Sequence, residues 1–309
     1  EHNFGCDCYY ERRTYDLGKR AEMKRIACIG EAMIELSMFG EKAQLGVAGD
    51  TLNTAIYLHR TAPGLSVEYI TCLGVDPFSD RISDFITDHG VGNENIQRIA
   101  AGSPGLYAIS TSQEGERSFT YWRNASAARQ LFADGNFSLL ETYDAVYLSG
   151  ISVAILPHAV RLSLLAWLSR SPIQLIFDSN YRQQLWDSLK HAQEVTSALW
   201  ARADIALPSI DDEMHLFAET EDQVASRFVA TAKSGALKRG ARGPLSLGVE
   251  VCASYQPAPK VVDTTAAGDS FNGGYLGALL SGKSQVQALK TGHDLAAQVV
   301  QYRGAIIPK

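Results

Sequence analysis

Asp263-Thr264-Thr265-Ala266-Ala267-Gly268-Asp269-Ser270-Phe271 runs on into Asn272-Gly273-Gly274-Tyr275-Leu276, and the fold turns on how this stretch is built. Upstream, Lys260-Val261-Val262 reads as the end of a strand. Downstream, Phe271, Tyr275, Leu276, Leu279 and Leu280 recur at helical spacing. The small residues therefore fall at a helix N-terminus, where the amides of Ala267, Gly268 and Asp269 and the positive end of the dipole favour an anion. Asp269, in that first turn, is placed to accept a proton from an alcohol while the amides hold charge on a transferring group. A lone Asp after small residues is more often a helix cap. The pairing of base and anion site suits phosphoryl transfer to a hydroxyl.

The full string resembles the C-terminal signature of the ribokinase-like carbohydrate kinases, the phosphofructokinase B family. That resemblance implies Asp269 as catalytic base and the amides of Ala266, Ala267 and Gly268 as the anion hole. It also implies an α/β fold of three layers, α/β/α, with a mainly parallel central sheet and a small β-strand lid. ATP, Mg²⁺ and a monovalent cation are the implied cofactors. Gly277-Ala278-Leu279-Leu280-Ser281-Gly282-Lys283-Ser284 fits the phosphate-loop pattern, but such a loop follows a buried strand and opens a helix. Here the apolar residues continue a helix, and Gly282 reads as its C-cap.

A chain of 309 residues, 46% of them hydrophobic, is expected to form one α/β domain with insertions. Its net charge of −6 offers no basic face to nucleic acid, and no apolar run is long enough to cross a membrane. A soluble, cytoplasmic protein is expected. The five cysteines, Cys6, Cys8, Cys28, Cys72 and Cys252, lack paired spacing and predict neither a disulfide framework nor a zinc site. Cys6 and Cys8 read as free thiols rather than metal ligands. Two glycosylation sequons, at Asn124 and Asn136, carry no weight without a secretory signal. Residues 1–22 form a leader of unknown role, and 23–309 the kinase domain, with lid strands from about 32–47 and 104–124.

Ile26-Ala27-Cys28-Ile29-Gly30 reads as a central parallel strand, and Glu31 to Ser37 as a strand with one exposed face. After Gly46-Val47-Ala48-Gly49, Asp50 is expected to cap a helix running to about Arg60. Asp50 and Asn53, three apart, share a face that suits a polyol. The resemblance makes Gly49, Asp50 and Asn53 sugar ligands. Val67 to Gly74 reads as one strand, and Phe78, Ile82, Phe85 and Ile86 as a core stripe. Leu106 to Ser110 and Ser118 to Arg123 pair as a hairpin about Glu114-Gly115-Glu116. By resemblance this hairpin belongs to the lid and to a dimer contact, with Tyr107, Tyr121 and Arg123 toward the substrate.

Asp144 to Gly150 and Ile173 to Asp178 read as buried parallel strands around a helix of Leu162, Leu164, Leu165 and Leu168. Ligands bind beyond strand C-termini in such sheets, which places Asp178, Asn180 and Arg182 at the crevice. Asp204 to Pro208 leads into Ser209-Ile210-Asp211-Asp212-Glu213. There the family pattern Asn-x-x-Glu is broken: Ser209 stands for Asn, and Asp212 for Glu, as a magnesium ligand through water. Leu237 to Gly243 resembles the nucleotide-side strand and turn. The residues implied for ATP are Asn180, Ser209, Lys238, Gly240, Gly243 and Gly268. The connections at Ala232-Lys233-Ser234-Gly235 and Ser246-Leu247-Gly248-Val249 are short. Val286, Leu289, Leu295, Val299 and Val300 describe a last helix.

Local strings such as Tyr121-Trp122-Arg123-Asn124 and Gln301-Tyr302-Arg303-Gly304-Ala305 are similar to sugar-acid kinases of the family. The partners implied are a small-molecule sugar acid and ATP, and a second copy of the chain. Arg123 and Arg182 would neutralise the sugar's carboxylate. A kinase for a neutral sugar and a non-catalytic sugar- or nucleotide-binding regulator are the alternatives.

Overall fold

The computed structural model describes residues 24–111 and 117–308. Residues 1–22, with Cys6 and Cys8, and the hairpin turn at 114–116 lie outside the described residues. Among the described residues thirteen strands run in chain order: β1 Arg25–Ile29, β2 Met33–Phe39, β3 Lys42–Ala48, β4 Ser66–Ile70, β5 Cys72–Leu73, β6 Gln97–Arg98, β7 Gly105–Thr111, β8 Arg117–Trp122, β9 Ala145–Ser149, β10 Gln174–Asp178, β11 Ile205–Leu207, β12 Gly235–Leu237 and β13 Leu245–Leu247. The α-helices are α1 Asp50–Thr61, α2 Pro77–Asp88, α3 Gly150–Ala154, α4 His158–Leu168, α5 Leu189–Arg202, α6 Ile210–Phe217, α7 Glu221–Thr231, α8 Ala267–Leu280 and α9 Gln285–Val299.

Seven strands form the main sheet in the order β13-β12-β11-β10-β9-β1-β4. Every pairing is parallel except β12 with the edge strand β13. Parallel strands covered on both faces are apolar throughout, and β1 shows it. Ile26 and Cys28 join the core under α1 and α8. Ala27 and Ile29 join the opposite layer with residues of α4 and α5. A second sheet, β3-β2-β7-β8, has β2 antiparallel to β3 and parallel to β7, with β8 antiparallel at its edge.

Five local expectations need correction. Val261 and Val262 are exposed and form no strand; the amides of Val262 and Asp263 instead bond the Val300 carbonyl at the end of α9. The run from Val67 breaks at Thr71, where the chain leaves the main sheet to pair β5 with β6. Gly49, not Asp50, is the N-cap of α1, because the Asp50 carboxylate is engaged across the crevice. Phe78 is exposed while Ile82 and Ile86 of the same helix are buried. Val286 is likewise exposed, at the first turn of α9.

Residues 277–284 are a helix hairpin. Gly282 (φ +82°) follows the end of α8, with its amide on Leu279 O and that of Lys283 on Ala278 O, the bond pair of a Schellman cap. Ser284 then opens α9 in a capping box with Gln287. No helix among the described residues is long and apolar enough to cross a membrane.

Candidate active site

The C-terminal ends of β9, β10 and β11 and the N-termini of α1 and α8 enclose one crevice. α8 begins after Ala266, a non-glycine residue at φ +60°, and the preceding loop is fastened by Asp263. Its Oδ1 accepts from the Thr265 amide (3.0 Å) and hydroxyl (2.7 Å), and its Oδ2 from the Gly304 amide (2.9 Å). Asp269 thereby stands in the first turn of α8, where the dipole favours a carboxylate.

The Asn53 amide donates to Asp269 Oδ2 at 2.8 Å, leaving Asn53 Oδ1 buried and without a partner. Asp50 accepts from Asn180 Nδ2 at 2.6 Å. Asn180 itself is held at φ +28° just beyond β10. The expected shared face of Asp50 and Asn53 is present, and it looks toward Asp269. Burial drives the Asp269 carboxyl up to about 8, with the charges of Asp50 and Asp178 adding to it and the Asn53 bond and Lys238 opposing. Asp50 is raised too, first by burial. Like charges sharing a buried site each disfavour the other's ionised form.

Of the amides expected to form an anion hole, that of Ala267 is already engaged. The Ala267 amide turns back onto the Thr264 carbonyl at 3.2 Å, as a tight entry into the helix requires. Gly268 remains open: a Cβ there would meet nothing within 4 Å but Lys238 Nζ, at 3.8 Å. Lys238 thus reaches the N-terminus of α8 from the end of β12. Its Nζ donates to Asp178 Oδ1 at 2.6 Å and to Asn272 Oδ1 at 3.2 Å. The other Asp178 oxygen accepts from Asn272 Nδ2 (2.8 Å) and from the Tyr147 hydroxyl (3.2 Å). Tyr147 also contacts Thr54 Oγ1 at 3.2 Å, and Thr54 donates to the Asp269 carbonyl. Sequence reasoning placed Asp178 at the crevice but missed Tyr147, Asn272 and Thr54. Asn272, one turn after Asp269 on the same helix face, carried the available signal.

Ser209 joins this floor through its backbone, with its amide on Ser179 Oγ at 2.8 Å and a bridge to Lys238. Ser179 Oγ donates onward to Asp212 Oδ2 at 3.2 Å. Arg182 and Arg123 take different partners: Arg182 pairs with Asp212 at 3.5 Å and is half-exposed. Gly240 and Gly243 bound a surface turn after β12, closed by Arg239 Nε on the Gly243 carbonyl.

From the second sheet, Tyr107 is buried and donates to Glu35, and its ring stacks on Tyr121 at 5.6 Å. Burial and then Glu35 raise the Tyr107 phenol, and the charge of Asp269 is also felt there. This face of the second sheet therefore lies toward the crevice. Arg123, expected as a carboxylate ligand, is buried in an ion pair with Glu31, a residue not singled out from sequence.

Residues 23–309 match the pfkB family of carbohydrate kinases. The chain is 45% identical to the 2-dehydro-3-deoxygluconokinase of Dickeya dadantii, over 92% of this chain and 97% of that one. It is 43% identical to the Escherichia coli enzyme of the same name, over 93% and 98%. Among solved structures, a fructokinase with bound ATP from Xylella fastidiosa superposes with a TM-score of 0.77 at 20% identity, over 92% of this chain and 94% of that one. That likeness establishes the fold.

Proposed function

The chain belongs to the pfkB family of carbohydrate kinases, and we propose that it transfers the terminal phosphoryl group of ATP to O6 of 2-dehydro-3-deoxy-D-gluconate, yielding the 6-phosphate and ADP. The observation that carries the reading is Asp269, fixed by Asn53 and next to Gly268, where an added Cβ would meet only Lys238 Nζ. Asp269 accepts the hydroxyl proton. The Gly268 amide and Lys238 meet the charge of the transferring phosphoryl group, so the chain's work is positioning and electrostatics. Asp50, Asn53 and Gly49 hold the sugar hydroxyls, and the unpartnered Asn53 Oδ1 is an acceptor ready for one. Tyr107 and Tyr121 on the second sheet cover the sugar as a lid.

The donor set around Asp212, a carboxylate with the Ser179 hydroxyl beside it, fits a hydrated magnesium ion, which binds oxygen ligands and keeps several waters. Asp212 would hold it through water, and the ion would neutralise phosphate charge. Arg182, at 3.5 Å from Asp212, serves this phosphate side rather than the sugar's carboxylate. Asn180, Ser209, Gly240 and Gly243 complete the ATP side. The cytoplasm, where ATP is abundant, is the proposed compartment. The exposed Phe119, Tyr121 and Trp122 on edge strand β8 support a dimer through the second sheet, which sedimentation equilibrium reads directly.

One observation favours a neutral sugar instead: Glu31 already neutralises Arg123. A coupled ADP-release assay with Mg-ATP decides between them. Selective turnover of 2-dehydro-3-deoxygluconate over fructose and ribose is expected. Preference for fructose or ribose would keep Asp269 as base and overturn the substrate.

A further inference from the structure

Four crossings join the seven-stranded sheet to the four-stranded one, and they meet at one residue. Glu31 lies on the first, between β1 and β2. The return from β3 into α1 passes Gly49, where a Cβ would fall 2.4 Å from the Glu31 carbonyl oxygen. The third crossing enters β7 at Gly105, where a Cβ would fall 2.6 Å from Glu31 Oε1 and 3.1 Å from Arg123 Cβ. The fourth leaves β8 at Arg123, whose Nη2 donates to Glu31 Oε2. Both side chains are buried, 1% and 7% exposed.

Glu31 Oε1 and Arg123 Nε are both buried without a partner. A guanidinium fork and a carboxylate make two parallel bonds when nothing else is asked of them. Buried polar atoms are rarely left unmatched. The pair thus keeps unused hydrogen-bonding capacity on both partners, Arg123 Nε and Glu31 Oε1. Arg123 lies 6.0 Å from the Tyr121 ring, which stacks on Tyr107. That row of side chains runs across β7 and β8 from the point where the crossings meet.

We propose that Glu31 is a positioning residue for Arg123, holding the guanidinium at the hinge so that it meets the carboxylate of the sugar acid and sets the preference for an acidic substrate. The proposal rests on the sugar-acid reading above. A free arginine samples many rotamers, and a substrate that must order it binds more weakly. With Glu31 in place that ordering is done before the sugar arrives, and the lid strands are tied to the same point.

Steady-state kinetics of the wild type, Glu31→Gln, Arg123→Gln and the double variant test it. Glu31→Gln raises KM for 2-dehydro-3-deoxygluconate about tenfold or more, the scale of a lost bond to a charged group. The change in kcat is smaller, and KM for ATP moves by less than about twofold, a split that a general loss of structure does not produce. The double variant is no weaker than Arg123→Gln alone, because Glu31 acts through Arg123. Glu31→Asp, which keeps the charge but withdraws it, shows the same KM-selective rise to a smaller degree and is the variant to read if Glu31→Gln does not fold. Effects that multiply in the double variant, or a KM for the sugar acid unchanged in Glu31→Gln, overturn the role of Glu31 while wild-type turnover leaves the substrate intact. A wild type that phosphorylates fructose and ignores the sugar acid overturns the substrate reading, and this proposal with it.

Discussion

Two buried ion pairs flank the crevice, and they are finished to different degrees. Asp178 and Lys238 sit at the middle of the parallel sheet, where both carboxylate oxygens have donors and the ammonium has two acceptors. Glu31 and Arg123 sit where the two sheets are joined, and each keeps one buried atom unmatched. The first pair is fixed by residues from β9, β10, β12 and α8, which have no freedom to separate. The second joins the crossings between the two sheets. On the proposed reading the fully bonded pair serves the phosphoryl group, whose charge must be met at the same place in every turnover. The less completely bonded pair, on the same reading, lies on the sugar side.

The sharpest way to break this comparison is at the residue between the pairs. Asp269→Asn should lower kcat by about 10²–10⁴, the usual scale for a lost general base; unchanged turnover would remove Asp269 from the chemistry. Because the wild-type carboxyl is raised to about 8 in the free protein, kcat/KM should climb as pH rises toward that value, since only the ionised form accepts a proton. Stability should run the other way. The folded state prefers the protonated carboxyl, so this contribution is complete below the ordinary aspartate range near pH 4 and is lost as pH rises through about 8. Asp269→Asn, neutral throughout, should therefore gain thermal stability over the wild type progressively as pH rises from about 4 to about 8. Equal Tm differences at pH 5 and pH 9 would contradict the burial argument.

Lys238→Met tests the rigid pair. It should raise KM for ATP and lower kcat, and cost about 3–5 kcal/mol of stability by leaving Asp178 buried and unpaired. Adding Asp178→Asn should recover much of the stability and none of the kcat. If the single variant melts like the wild type, the pair is not held as described.

The smallest effect belongs to the phosphate-loop look-alike. Ser284→Ala should cost about 1 kcal/mol as a lost N-cap, and Lys283→Ala almost nothing, with KM for ATP untouched in both. A rise in KM for ATP with either would return residues 277–284 to the nucleotide site.

What the sequence disclosed followed from local rules. The α8 entry, the helix after Gly49 and the hairpin of β7 and β8 each announce themselves within about a dozen residues by spacing and small residues. The pairing of Asp178 with Asn272 spans 94 positions, and that of Tyr147 with Asn272 spans 125. No periodicity encodes such contacts. Glu31 was passed over for the same reason: its partner lies 92 residues on. Val261 and Val262 misled because β-branched residues signal a strand only when a neighbouring edge is there to pair with, and here the sheet already ends at β13. Asp50 misled because a side chain that can cap its own helix left that task to Gly49 in favour of Asn180.

The segment after α9 bears on how the protein is made. The Tyr57 hydroxyl, in α1, donates to the Ala305 carbonyl at 2.7 Å and accepts from the Ile307 amide, while Arg60 donates to the Ile307 carbonyl. Gly304 fastens the loop ahead of α8. Both helices that carry the crevice therefore take their last anchors from residues translated about 250 positions after Tyr57. During synthesis α1 is complete early but has nothing to dock its outer face against, and a nascent chain folding from its N-terminus holds that helix unfinished while these late residues are still inside the ribosomal tunnel.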